Sequence, residues 1–299
     1  MNKFKVFIIG GGGIFGTIPA CFLSYLGDSY KLSEKVDSIS GTSIGGILAS
    51  AYIAGNTPSS ILNAFVNNGS EIFSKSLYNQ LNPAAIPFYD NAPLSKFVHK
   101  FLGDKTVEDI AWRDTQCAYF VPCMNMTKNK MKVFDNIVGD DFNRTLYDIS
   151  MYTSAAIAYF PVLEDNSDAI TDAGVLEVVP VITTATAIKD KLGIDFKDMD
   201  VFVLCSGNSI NKDFGNYETV SSWNILELAT NFIIPNITNG NEIMSKFWGE
   251  NMGFNSFTWY NPIQVYTDLD DASSIPYLLD ECEMRREEFL DKWNKFTEN

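Results

Sequence analysis

The chain has 299 residues, 46% of them apolar and 20% charged, which supports a sizeable core and excludes a disordered polymer. Lys and Arg number 22 against 37 Asp and Glu, a net charge of -15, so a general electrostatic surface for nucleic acid is excluded and anionic membranes repel the chain on average. The single histidine, His99, excludes HExxH metalloproteases and most zinc sites, and it leaves a Ser-His-Asp triad only if His99 itself is the base. The five cysteines (Cys21, Cys117, Cys123, Cys205 and Cys282) are odd in number, scattered and free of CxxC pairs, a pattern that suits a reducing compartment better than a disulfide framework.

At the start of the chain, Val6 to Ile9 is a continuous apolar run, as expected of a strand buried on both faces, and Gly10 to Gly13 end it too early for a signal peptide. A helix over Ile14 to Leu26 follows, then a short strand over Val36 to Ser40, then an Ala-, Ile- and Leu-rich helix over Ile44 to Gly55. Two strand–glycine–helix units in succession predict an α/β sheet with parallel strands. Pro58 to Phe73 and Pro93 to Leu102 read as amphipathic helices, with a loop over Asn79 to Asp90 between them. Ala118 to Pro122 and Met131 to Phe134 read as strands, Leu146 to Ala158 as a helix, Val201 to Cys205 as a further buried strand, and Ser274 to Phe296 as a charged helix. No repeat, linker or membrane-length apolar stretch interrupts this pattern, so one domain over 1–299 and a cytoplasmic location are expected.

Two motifs carry chemistry. The run Gly10 to Gly16 contains GxGxxG between a strand and a helix, with Asp37 about 20 residues beyond. It is open to three readings: a dinucleotide turn, an oxyanion hole of converging amides, or a tight packing turn. The second motif, Gly41-Thr42-Ser43-Ile44-Gly45, is GxSxG after an apolar strand and before a helix, the context of a nucleophile elbow in which small neighbours let the serine hydroxyl stand clear. Ser43 is therefore the predicted nucleophile, and an elbow there favours the oxyanion reading of the glycine run. His99 lies in a helical pattern with basic neighbours, a poor place for its base. Asp172, after a short apolar segment and before Ala173-Gly174, is the alternative.

These blocks resemble the patatin-like phospholipases over nearly the whole chain. The family's DGGGxRG loop aligns with Gly10 to Gly16, its GxSxG with Gly41 to Gly45, its SAAPTYFPP-like block with Ser154 to Val162, its DGG/DGA motif with Asp172-Ala173-Gly174, and an LSLGTG-like stretch with Val203 to Asn208. The resemblance implies a three-layer α/β fold with a central, mostly parallel sheet flanked by helices. It also implies a serine–aspartate dyad of Ser43 and Asp172, an oxyanion loop of Gly11, Gly12 and Gly13, and no cofactor or metal. The chain departs from the family at Gly10 and Phe15, where members carry Asp and Arg, and at Val178 and Val179, where members carry Asn.

The implied substrate is a phospholipid or lysophospholipid, reached through transient membrane-surface contact, with no nucleic-acid partner. The aromatic and aliphatic residues of Asn241 to Tyr260 are assigned chiefly to burial, with a lid or interfacial patch as the alternative. A degenerate binding scaffold and an acyltransferase using the same acyl-serine are the competing functions.

Overall fold

The computed structural model describes residues 3–73, 87–209 and 234–298; most of the expected Asn79 to Asp90 loop lies outside them. The apolar run near the N-terminus forms β1 (Phe4–Ile9), and the second short run forms β2 (Ser38–Gly41). With β3 (Ala118–Asn125), β4 (Lys130–Asp135), β5 (Leu163–Asp165), β6 (Asp168–Asp172), β7 (Met199–Leu204) and β9 (Ser256–Tyr260) they build one sheet in the order β5-β6-β3-β2-β1-β7-β9, with β4 also pairing with β3. The run β3-β2-β1-β7-β9 is parallel throughout, and the antiparallel strands β4, β5 and β6 lie at the β3 end. A short parallel pair, β8 (Asn208–Ser209) with β10 (Gln264–Val265), lies off this sheet.

Alternation along β1 sends Phe7 and Ile9 into one buried cluster and Val6 and Ile8 into another on the opposite face, which is why this strand is apolar at every position. Helices α1 (Thr17–Ser24), α2 (Ile44–Ile53), α3 (Pro58–Ile72) and Asn91–Leu102 cover the first face, together with the two C-terminal helices. The helix Val181–Leu192 covers the second. This is the expected arrangement, a mostly parallel sheet between helical layers.

The differences from expectation are local. Leu146 to Ala158 is helical only over Leu146–Thr153, because the carbonyl of Ala155 is taken by the Asp172 N–H at 3.1 Å and by the Thr171 hydroxyl, which pulls the chain away from the helix axis. The C-terminal helix breaks at Arg285 into Ile275–Met284 and Arg286–Glu298. The second half delivers Phe289, Trp293 and Phe296 into an aromatic cluster with Phe7 and Phe202. Asn241 to Tyr260 divides between the helix Ile234–Asn251 and β9: Met252, Phe254, Phe257 and Trp259 pack against the second cluster and Tyr260 is buried, as expected, whereas Ile243, Met244, Phe247 and Trp248 on the helix are exposed. Their helix turns Glu242, Ser245 and Gly249 inward instead, and a side chain at Gly249 would collide with the Phe257 ring. All five cysteines are buried as free thiols. Among the described residues, no helix is long and apolar enough to cross a membrane.

Candidate active site

Ile9 pairs with Gly41, so the glycine run and the GxSxG turn leave neighbouring parallel strands at the same end of the sheet. Ser43 has φ 57° and ψ -128°, a strained conformation for a residue with a side chain, and the next residue begins α2. Two close approaches hold the turn. A Cβ on Gly41 would lie 2.2 Å from the Gly45 carbonyl oxygen, and one on Gly45 would lie 2.3 Å from the Ile9 carbonyl oxygen. Both glycines are therefore steric requirements of the elbow. The Ser43 N–H donates to Thr153 Oγ1 at 3.0 Å, and that hydroxyl donates on to the Pro122 carbonyl at 2.9 Å. Thr153 was not singled out from the sequence; it lies one residue before the family-like block.

Strand β6 runs antiparallel to β3 and stops with Asp172 opposite Cys123, at the level where β2 has given way to the elbow. The Ser43 hydroxyl lies beside the Asp172 carboxylate and favours its charged form, and Asp172 Oδ1 accepts the Gly174 N–H at 2.7 Å. Burial raises this carboxyl from the ordinary range to about 6, and the Ser43 hydroxyl and the Gly174 N–H hold it from rising further. It is thus ionised at neutral pH yet more basic than an exposed aspartate, as a proton acceptor for a hydroxyl requires.

The glycine run is built from both sides. Gly10 N–H donates to the Leu204 carbonyl and Gly11 N–H to the Val178 carbonyl at 2.9 Å, so the Gly11 amide is already engaged. Ile14 N–H donates to the Leu269 carbonyl at 2.7 Å. Between them, the amides of Gly12 and Gly13 have no acceptor among the described residues. Both residues have positive φ, and a Cβ on Gly13 would lie 2.3 Å from the Leu269 oxygen. Asp37 does not serve a dinucleotide here: it lies before β2, at the far end from the glycines, and its carboxylate accepts the Lys5 N–H at 2.7 Å.

At the family's departures, apolar packing replaces polar groups. Phe15 and Val179 are buried in the core, and Val178 both accepts the Gly11 amide and lines the cleft. That cleft encloses roughly 1030 Å³ including its open mouth, with Ser43, Asp172, Gly12 and Gly13 at one side and a wall of Ile47, Phe65, Ile72, Leu94, Phe160 and Leu269. Leu269, which braces the glycine run from 226 positions beyond Ser43, had no signal in the sequence.

A family profile described as patatin-like phospholipase matches residues 7–185, more than half of the chain. The chain belongs to the patatin-like phospholipase family. Among its relatives, a cGAMP-activated phospholipase of Vibrio cholerae is 27% identical over 180 residues (53% of this chain and 50% of the relative). A cGAMP-activated phospholipase of Escherichia coli is 26% identical over 231 residues (71% and 64%). Patatin-like protein 1 of Oryza sativa is 26% identical over 273 residues (77% and 65%). The chain spans less than two thirds of the length of each.

His99 takes no part in this patatin-like site. It lies in the last turn of Asn91–Leu102 with its side chain 60% exposed, 3.9 Å from Asp104, and it does not line the cleft. His99→Ala should therefore change kcat/KM for any ester by no more than about twofold. A hundredfold loss would restore a histidine base.

Proposed function

We propose that this protein is a lipid acyl hydrolase of phospholipase A or lysophospholipase type, working through an acyl-serine. One observation supports the proposal: a serine on a strained turn lies beside a buried, raised-pKa aspartate at the edge of an apolar cleft.

Asp172 accepts the Ser43 proton as Oγ attacks the ester carbonyl, and the carbonyl oxygen becomes an oxyanion. The free amides of Gly12 and Gly13 face this charge, aided by the positive N-terminal end of α2. A donor of this kind contributes roughly 3–4 kcal/mol. Gly11, whose amide is bonded to Val178, supports the loop's shape instead. Collapse of the tetrahedral intermediate breaks the ester C–O bond, and the proton on Asp172 passes to the departing alkoxide. Asp172 then takes a proton from water, hydroxide attacks the acyl-serine, and the fatty acid leaves as Ser43 regains its proton. The apolar wall accommodates the acyl chain, which would otherwise lie in water.

A fluorophosphonate probe tests the nucleophile directly. The expected result is one adduct on folded protein, mapped by mass spectrometry to Ser43, with labelling that declines as pH falls below about 6. Folded protein that takes no label would instead support a binding scaffold with a dead site.

A further inference from the structure

The helix Ile234–Asn251 is amphipathic in the reverse sense. Its protein-facing side carries Glu242, Ser245 and Gly249, with Ser245 only 1% exposed. Its outer arc carries Ile243 at 68% exposure, Phe247 at 52%, Trp248 at 44% and also Met244, two adjacent pairs one turn apart that share one side of the helix. Single exposed apolar residues are ordinary, but two aromatic and two aliphatic side chains grouped on one helical arc call for an apolar covering.

Several features identify the covering as lipid. The same helix forms part of the substrate cleft: Ile237, two turns before Met244 and itself exposed, lines the cleft wall together with Thr238. Asn241 Nδ2 donates to the Gly174 carbonyl at 3.3 Å, and the Gly174 N–H holds the Asp172 carboxylate, so the helix is fastened to the turn that carries the base. Ile157, also in the cleft wall, and Leu176, just beyond it, continue the exposed apolar surface. The arc brings no free cation. Lys246 pairs with Glu250 at 4.0 Å, and Glu242 accepts from Asn261 at 2.5 Å. On a chain of net charge -15, contact through this face is apolar rather than electrostatic.

We infer that the outer arc of helix 234–251 docks onto zwitterionic lipid surfaces and seats the cleft mouth against them. An acyl chain then moves from the aggregate into the cleft without crossing water. The inference deepens the proposed hydrolase, since a lipid ester is the substrate that such docking would deliver, but the docking itself involves no catalytic step.

The test is flotation of the full chain with phosphatidylcholine vesicles, using Ser43→Ala protein so that no turnover alters the membrane. The expected result is co-flotation at both low and high salt, reduced at least about tenfold by adding Phe247→Ser and Trp248→Ser. In the chain with Ser43 intact, the same pair should slow vesicle hydrolysis about tenfold while leaving a water-soluble short-chain ester within about twofold. Should the pair lose its helical circular dichroism, Ile243→Ser alone, at the most exposed position of the arc, is held to the same criteria. Three results overturn the inference: unchanged flotation of the substituted chain, flotation confined to anionic vesicles and abolished by salt, or a dimer that the substitutions turn into a monomer while vesicles bind neither form. Intact flotation by a chain whose Ser43→Ala variant still cleaves esters would overturn the nucleophile and leave the docking surface standing.

Discussion

Ser43→Ala protein is expected to hydrolyse esters on the order of 10⁴–10⁶-fold more slowly than the unsubstituted chain while remaining folded. The loss is large because the hydroxyl is the group that would form the covalent intermediate, and the hydroxyl of Ser154, which also lines the cleft, is bonded to the Ser150 carbonyl at 2.7 Å. The fold survives because alanine retains the Cβ that the elbow already accommodates, and because Gly41, Gly45 and the Thr153 hydroxyl hold the turn without the serine oxygen. A second effect follows from the loss of the hydroxyl beside Asp172. Without that hydroxyl, Asp172 loses one of the two interactions restraining its pKa, so its carboxyl should titrate higher than in the parent chain. Product analysis on mixed phospholipids, with circular dichroism alongside, checks the first effect, and NMR titration of the carboxyl checks the second. Ester cleavage within tenfold of the parent would remove Ser43 from the mechanism.

Asp172→Asn should produce opposite effects on activity and stability. In the parent chain the carboxyl is raised from 3.8 to about 6, because burial penalises its charged form. The folded state therefore binds this proton more tightly than the unfolded state. Its stabilising contribution is fully present below pH 4 and is lost as pH rises through about 6. At pH 7.5 the buried charge costs about 3 kcal/mol, from a shift of about two pH units. Asparagine keeps the shape, accepts the Gly174 N–H and removes the charge. The variant should accordingly unfold later than the parent at pH 7.5, with the difference vanishing near pH 4. Its ester hydrolysis should fall on the order of 10²–10⁴-fold, the usual contribution of a general base. For the parent chain, kcat/KM should rise as pH increases through about 6 and then level off. Thermal unfolding at the two pH values and a pH–rate profile are sufficient; an asparagine variant less stable than the parent at pH 7.5 would mean that Asp172 is held chiefly for structure.

The parts of the site written in contiguous residues were legible in the sequence. Val6 to Ile9 followed by glycines, and GxSxG between a strand and a helix, specify their local geometry because only small residues tolerate the approaches at Gly41, Gly45 and Gly13. Groups that act through distant backbone were not legible. Leu269 offers a carbonyl, Thr153 a hydroxyl and Asn241 an amide, and nothing in their neighbours distinguishes these from ordinary loop and helix residues. Strands β5 and β6 escaped notice because Leu163–Asp165 and Asp168–Asp172 are short and rich in acids, held by pairing rather than by apolar periodicity. The expectation of burial for the apolar residues of Asn241 to Tyr260 holds from Met252 to Tyr260 and fails on the helix, where Ile243, Met244, Phe247 and Trp248 face outward, because an apolar side chain does not by itself say which way its side of a helix is turned. That direction was set by Gly249, whose missing side chain lets the polar side of the helix lie against Phe257.

The glycine run's dependence on Leu269 bears on how the family's catalytic unit can be cut. The patatin-like match ends at residue 185, yet β7, which pairs along the whole of β1, and the carbonyl that receives the Ile14 amide both lie beyond it. A fragment trimmed to that match would keep Ser43 and Asp172 but expose the edge of its most apolar strand, an invitation to self-association, and would leave its glycine turn without a brace. The boundary that marks ancestry is thus not a boundary of folding, and transplanting the proposed chemistry into another protein would require the C-terminal hundred or so residues to travel with it.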